Sequence, residues 1–554
     1  MTRHALALLL LAAAPAVAFG QENADLATIH RIKDEAFRGS HVMDHLFYLT
    51  DVNGPRLTNS PGFRAAADWS VRQLKDWGVG SARLEKWGTF GRGWSLARFS
   101  AHMKAPVYAP LLGVPMAWSA ATPGPVTAEV VAAPLFSPRE DPDRFDLPKV
   151  TERIRSYTAA QKGRLKGRIV LIEPVRELTP PTEAASERYD DKKLADVAGA
   201  PDPFAPPPLE WPITRLPEEE KKRWQILGAY PAEVLWEYVD RLDRAYDRLN
   251  TFLYDEGAVA VLSTDQRGAG GILFAEKAGL WAREAAPPPV WVVLQPEAYY
   301  RIARLVERKI PVKVELDVAA SFHDDVTDGF NVVAEIPGQK KKDEVVMLGA
   351  HLDSWHSGTG ATDNAAGCAV ALEAMRILKT LDLPMDRTVR LALWSGEEQG
   401  LYGSRGYVKE HFGDPVTMTL KPEHAKLAAY FNVDNGTGRI RGVYLQGNDM
   451  VRPIFESWLA PFRDLGATTL TIRNTGGTDH QSFDDLGLPG FQFIQDPLDY
   501  GSRTHHSNLD VYDHVVPADL MQASAVLAAF VYDAATRAEV LPRKPLPRPL
   551  PKSK

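Results

Sequence analysis

Three stretches of this chain are apolar almost without interruption, and each ends at residues able to hold a metal. Residues 344–350 place Val345, Val346, Met347 and Leu348 between charge on one side and Gly349 on the other, a run that suits a strand buried on both faces. His351 and Asp353 follow at once. Residues 388–395 repeat the arrangement with Val389, Leu391, Leu393 and Trp394 ahead of Glu397 and Glu398, and residues 428–433 lead to Asp434. Residues 365–378 have helix-forming composition and apolar spacing, with Asp363 and Asn364 where an N-cap falls. Nearer the start, the pattern over 41–87 predicts a helix, an irregular Asn53-Gly54-Pro55-Arg56, a helix over 65–77 and a strand over 81–87. Ligands in open α/β sheets collect beyond the carboxyl ends of the strands. The fold expected is therefore α/β, a mixed and mainly parallel sheet flanked by helices, with the three strand ends sharing one crevice.

Residues 124–317 read differently. Short β-like segments at Val126–Ala132, 168–172, 259–263 and 290–294 are separated by Pro-rich and charged loops, which predicts a β-rich insertion dividing one domain into 21–123 and 318–540. Within it, residues 179–216 carry Pro180-Pro181 and Pro206-Pro207-Pro208 and predict an excursion over the surface. The glycine-rich residues 268–271 lack the Lys-Ser or Lys-Thr of a phosphate loop and predict a turn entering a strand-like 272–274. The insertion is a candidate lid over the crevice, a candidate spacer and a candidate surface for a homodimer. Residues 541–554 form a Pro-rich basic tail, expected to be extended and mobile.

Composition narrows the function classes. A formal net charge of −7 over 554 residues offers no basic field to nucleic acid. Arg3, the apolar residues 5–14 and the small Ala16, Ala18 and Gly20 outline a signal peptide over 1–20, too short for a membrane span. Export to the periplasm or the medium follows, without a membrane anchor. The single cysteine, Cys368, excludes an intrachain disulfide and lies on the helix after Asp363, where a small buried thiol is expected.

The residues at the strand ends suit amide hydrolysis by metal. Such a site needs ligands that leave a coordination position open and a carboxylate that is not a ligand to take a proton from water. Adjacent Glu397 and Glu398 can divide these tasks, Asp363 can bridge two ions, and either His505 or His506 can bind. A Gly-x-Ser-x-Gly elbow and a His-Glu-x-x-His helix are both missing from the sequence.

The segments His351-Leu352-Asp353-Ser354-Trp355, Asp363-Asn364-Ala365-Ala366-Gly367, Trp394-Ser395-Gly396-Glu397-Glu398-Gln399-Gly400, Asp434 and His505-His506-Ser507 together resemble the co-catalytic zinc exopeptidases, which include secreted aminopeptidases, glutamate carboxypeptidase and carboxypeptidase Q. The resemblance implies two Zn2+ per chain: His351 and Asp434 on one, Glu398 and His506 on the other, and Asp363 bridging them. It implies Glu397 as the general base acting on a metal-bridging water, Asp353 as the carboxylate that orients His351, and a cis peptide at Asp363-Asn364. The family register of a hydroxyl residue after the ligand His and an acid three further on fits His506-Ser507-Asn508-Leu509-Asp510. His505 then takes the place of a donor to the tetrahedral intermediate. Asp479-His480 matches a further family segment, and residues 166–172 and 256–263 are similar to protease-associated domains.

The substrate expected is a short peptide cut at its end. Amino-terminal cleavage, which requires a carboxylate for the α-ammonium, is favoured. The alternatives are carboxypeptidase or dipeptidase action, for which Arg473 or Arg503 could hold a terminal carboxylate, and a non-catalytic peptide-binding or receptor module. The last would be marked by lost ligands, whereas every ligand position here is filled. Trp355 and His356 are expected to wall one side of the pocket.

Overall fold

The computed structural model describes residues 25–549 except 180, 181, 183, 202–212, 217–229 and 287; the expected signal peptide and both proline clusters of the surface excursion lie outside the described residues. One sheet runs, in spatial order, Arg83–Thr89, Asp328–Ile336, Arg387–Trp394, Lys341–His351, Leu427–Asn432, Gly490–Gln495, Ile440–Tyr444 and Thr469–Thr471. Its four central strands, Arg387–Trp394 through Gly490–Gln495, are parallel. Alternation along Lys341–His351 divides the core between two faces. Val346, Leu348 and Ala350 pack with helices Ala366–Thr380 and Pro517–Thr536, while Val345 and Met347 face Tyr407, Val408 and Phe483. Both faces being buried, the strand reads in sequence as a continuous apolar run.

A second eight-stranded sheet runs Ala109–Pro110, Gly93–Ala105, Lys313–His323, Val126–Ala132, Arg168–Leu171, Ala260–Ser263, Trp291–Leu294 and Gly113–Pro115. Helix Pro296–Glu307 covers one face, and helices Leu147–Gln161 and Ala232–Asp255 cover the other. This part of the chain is thus richer in helix than its short β-like runs suggested. Helix Ala232–Asp255 buries Val234, Leu235, Tyr238, Ala245, Leu249 and Leu253, a three- and four-residue spacing that marks one helical face.

Two local expectations need correction. Residues 272–274 are not a strand of either sheet; Phe274 makes only an isolated antiparallel bridge to Ser507. The described part of the basic tail, residues 541–549, has no helix or strand and is tied down where its charges find buried acceptors. Arg543 donates to the carbonyls of His424 and Leu427 at 2.9 and 2.6 Å, and Lys544 to that of Gln446 at 2.7 Å. No helix among the described residues is long and apolar enough to cross a membrane.

Candidate metal centre

The parallel strands deliver their terminal residues to one place. Strand Lys341–His351 ends on His351, Arg387–Trp394 is followed by Glu397 and Glu398, and Leu427–Asn432 by Asp434. Gly396, at φ 67°, turns the chain after Trp394 in a left-handed conformation that favours glycine. Asp363 lies in a short irregular turn before helix Ala366–Thr380 and has non-helical backbone angles. Its neighbour does the capping: Asn364 Oδ1 accepts from Gly367 N at 3.0 Å, and Asn364 Nδ2 donates to Val433 O at 2.9 Å. That leaves the Asp363 carboxylate free of the helix. The Asp363-Asn364 peptide is cis.

Asp363 turns one carboxylate oxygen to each imidazole. Its Oδ1 is 3.2 Å from His351 Nε2 and its Oδ2 is 3.3 Å from His506 Nε2. Around His351 Nε2, Asp434 Oδ1 stands at 3.4 Å and Glu397 Oε2 at 3.8 Å; around His506 Nε2, Glu398 Oε2 stands at 3.0 Å. Two donor atoms each ~2.0–2.2 Å from a tetrahedral zinc are separated by about 3.3–3.6 Å, close to the distances from His351 to Asp363 and Asp434 and from His506 to Asp363. Buried Asp363 Oδ2 and Glu398 Oε1 have no hydrogen-bond partner, so the donor set fits bound metal on chemistry as well as spacing.

Electrostatics point the same way. Burial pushes the Glu397 carboxyl well above the usual carboxylate range, with His351 opposing and Asp434, Asp479 and Glu398 adding to the rise. Burial and the Asp363 charge push Glu398 up to about 8, against His506. Asp479, also buried, is pushed up to about 8 by burial, against His351. Carboxylates so crowded ionise together only if positive charge is supplied. His505 goes the other way: burial, then the neighbouring His506 charge, pull it down to about 4, leaving a neutral imidazole at neutral pH.

Surrounding groups hold the cluster in place. His351 Nδ1 meets the backbone carbonyl of Asp353 at 3.0 Å and the Asp353 carboxylate only at 3.7 Å. The carboxylate expected to orient His351 instead accepts from the backbone N–H groups of Glu397 and Glu398, both at 3.3 Å, and from the Thr58 hydroxyl at 3.0 Å. It fixes the turn carrying both glutamates. Asp510 accepts from the Asp363 N–H at 3.2 Å. His505 Nε2 is 3.7 Å from Asp363 Oδ2, with its ring 3.8 Å from that of His506, and its side chain is 26% exposed.

The other residues singled out in the sequence divide. Trp355 sits edge-on to His506, with ring centroids 6.0 Å apart, and lines the small cleft with Glu398 and His506. His356 is turned away, its Nε2 2.6 Å from the carbonyl of Pro115 in the second sheet. Arg473 donates to Gly199 O at 2.6 Å, and Arg503 is exposed. His480 is buried with Nε2 3.0 Å from Thr475 O. Two residues were missed. Arg56 read only as part of an irregular loop, although its guanidinium reaches both ligand loops. Glu276, whose Oε1 lies 2.9 Å from His506 Nδ1, stands in a segment without any recognisable pattern.

Residues 331–531 match Peptidase family M28. Carboxypeptidase Q of Rattus norvegicus is 34% identical over 242 residues, 44% of this chain and 49% of that protein. The chain thus spans about half the length of the curated relatives it matches. Among solved structures, a peptidase M28 precursor from Shewanella amazonensis superposes with a TM-score of 0.61 at 24% identity, covering 95% of this chain and 99% of the other. A zinc aminopeptidase from Bacillus subtilis gives 0.52 at 18% identity over 90% and 96%. These two likenesses show the α/β fold.

Proposed function

We propose that this chain, whose residues 331–531 match Peptidase family M28, is an exported di-zinc exopeptidase acting on short peptides. The observation that carries the reading is the pair of distances from Asp363, 3.2 Å to His351 and 3.3 Å to His506 from separate carboxylate oxygens. His351 and Asp434 would hold one zinc, Glu398 and His506 the other, and Asp363 both. Zinc supplies the Lewis acid that polarises a peptide carbonyl and makes water more acidic.

Glu397 stands 3.8 Å from His351 Nε2, farther than the ligand pairs; burial raises its affinity for a proton, and the positive charge that bound zinc would add beside it keeps it ionised. It is placed to take a proton from the attacking water and to pass it to the departing amine as the C–N bond breaks. Asp353 holds the backbone of this glutamate. His505, neutral and partly exposed beside Asp363, is placed to donate to the oxyanion. The rim supports amino-terminal cleavage: Glu276 leaves its side chain 48% exposed beside His506, an anionic neighbour for a substrate α-ammonium. The similarity to carboxypeptidase Q favours the second reading, carboxypeptidase or dipeptidase action.

The test is hydrolysis of aminoacyl-anilides alongside N-acylated dipeptides, before and after chelation and zinc return. Cleavage of the free-amine substrates that is lost on chelation and restored by about two equivalents of zinc is expected. Cleavage of the N-acylated set alone would select carboxypeptidase action, and full activity after exhaustive chelation would refute the metal scheme.

A further inference from the structure

His506 reaches the metal centre on a backbone that another part of the molecule holds. Residues 273–276 lie in sequence between strands Ala260–Ser263 and Trp291–Leu294 of the second sheet, yet they pair with the residues that follow His506. Leu273 N donates to Asn508 Oδ1 at 2.7 Å, Asn508 N donates back to Leu273 O at 3.0 Å, and Phe274 bridges Ser507. Behind this contact the segment is anchored to Ala117, two residues beyond strand Gly113–Pro115 of the second sheet. Ala117 N donates to Glu276 O at 2.9 Å, and Ala278 N donates to Ala117 O at 2.8 Å.

His506 itself has φ 60°, a left-handed conformation that residues other than glycine adopt uncommonly. The pairing on its carboxyl side fixes that conformation. At the end of the paired segment the Glu276 carboxylate meets His506 Nδ1 at 2.9 Å. A carboxylate accepting from Nδ1–H selects the tautomer whose Nε2 lone pair is free and makes that nitrogen a better donor to a cation. Nε2 is the atom that faces Asp363 and Glu398.

We infer that Glu276, contributed by the loop between strands Ala260–Ser263 and Trp291–Leu294 of the second sheet, is a positioning residue for the metal that Glu398 and His506 would hold. The inference rests on the di-zinc reading. It makes the second sheet part of the metal centre, through a residue that lies outside the 331–531 segment matching the peptidase family. The two zinc sites should then differ in their dependence on it, because His351 takes its Nδ1 partner from Asp353 of its own loop.

The experiment is stepwise zinc titration of the full chain against a competing chelator, with the visible spectrum of the cobalt-substituted protein as a second readout. Glu276→Ala is expected to weaken one of the two zinc equivalents by about 10- to 100-fold, to leave the other unchanged and to alter the cobalt spectrum. Glu276→Gln keeps an acceptor oxygen and should recover part of the loss. The side chain is 48% exposed, so the melting temperature of the metal-free protein should not move. Two zinc equivalents of parental affinity in Glu276→Ala would overturn the inference, as would equal weakening of both. A parent protein that binds fewer than two equivalents would instead overturn the di-zinc reading, and the inference with it.

Discussion

The guanidinium of Arg56 donates to the carbonyl oxygen of Leu352 at 2.7 Å, one residue beyond His351. The same group donates to the carbonyls of Leu49, Thr359 and Gly360 at 2.9, 2.7 and 2.8 Å. One fully buried cation therefore joins the N-terminal helical region to the loop after His351 and to the loop before Asp363. Gly360, at φ 68°, lets the loop pass close to Ser354 and to this group, since a Cβ there would lie 2.3 Å from Ser354 Cβ and 2.9 Å from Arg56 Nη2. Arg56→Met, similar in length but without donors, would leave these carbonyls unpaired. It is expected to destabilise the metal-free protein by about 3–5 kcal/mol, read from denaturant unfolding; parental stability would show that the carbonyls find other partners.

Glu397→Gln removes the proton acceptor and keeps the shape. Turnover should fall by about 10²–10⁴-fold while both zinc ions remain. Metal analysis of the variant beside its kcat separates this outcome from loss of a ligand.

His505→Ala addresses the neighbouring imidazole. If His505 donates to the oxyanion, kcat should fall by about 10²–10³-fold with KM and zinc content little changed. Unaltered kcat would remove it from the reaction.

Acid stability has a legible source away from the metals. Glu373 accepts from His45 Nε2 at 3.1 Å and from Arg376 at 2.8 and 2.9 Å, fully buried against helix Val42–Phe47. Burial raises its pKa, but the bonds from His45 and Arg376 prevail and hold it at about 2, below its ordinary 4.5. Burial also lowers the pKa of His45 below 6.5. Both folded-state values are depressed, so the stability they confer is present above the unfolded values and is lost as pH falls, first through His45 and then through Glu373 between 4.5 and about 2. The Glu373 part is on the order of 3 kcal/mol. Urea midpoints measured across that interval should decline less steeply for Glu373→Gln than for the parent.

What could be read from the sequence follows from burial. The strands ending at His351, Trp394 and Asn432 announce themselves because parallel strands covered on both faces are apolar throughout, and the residues beyond their ends then stand out. Asp363 and Asn364 were visible at the start of a helix, although only the structure shows that Asn364 does the capping and leaves Asp363 to the imidazoles. Arg56 and Glu276 were not visible, because each is a lone charged residue whose partner lies 296 or 230 positions away, and local spacing carries no trace of such a pairing. Asp353 was legible as a neighbour of His351, and the structure adds that its side chain also holds the glutamate turn while its carbonyl meets His351 Nδ1.

Strand Arg83–Thr89 pairs with Asp328–Ile336, Leu84 opposite Val332, so the first sheet joins two strands that are separated in sequence by most of the second sheet. During synthesis, helix Pro61–Asp76 and this strand emerge long before the surface they cover. Their apolar faces must stay exposed while some two hundred and forty residues are made, a delay of about 10–50 s at ~5–20 residues per second. Such a topology favours slow acquisition of the native state, because strand Arg83–Thr89 can take its place only once Asp328–Ile336 has been made.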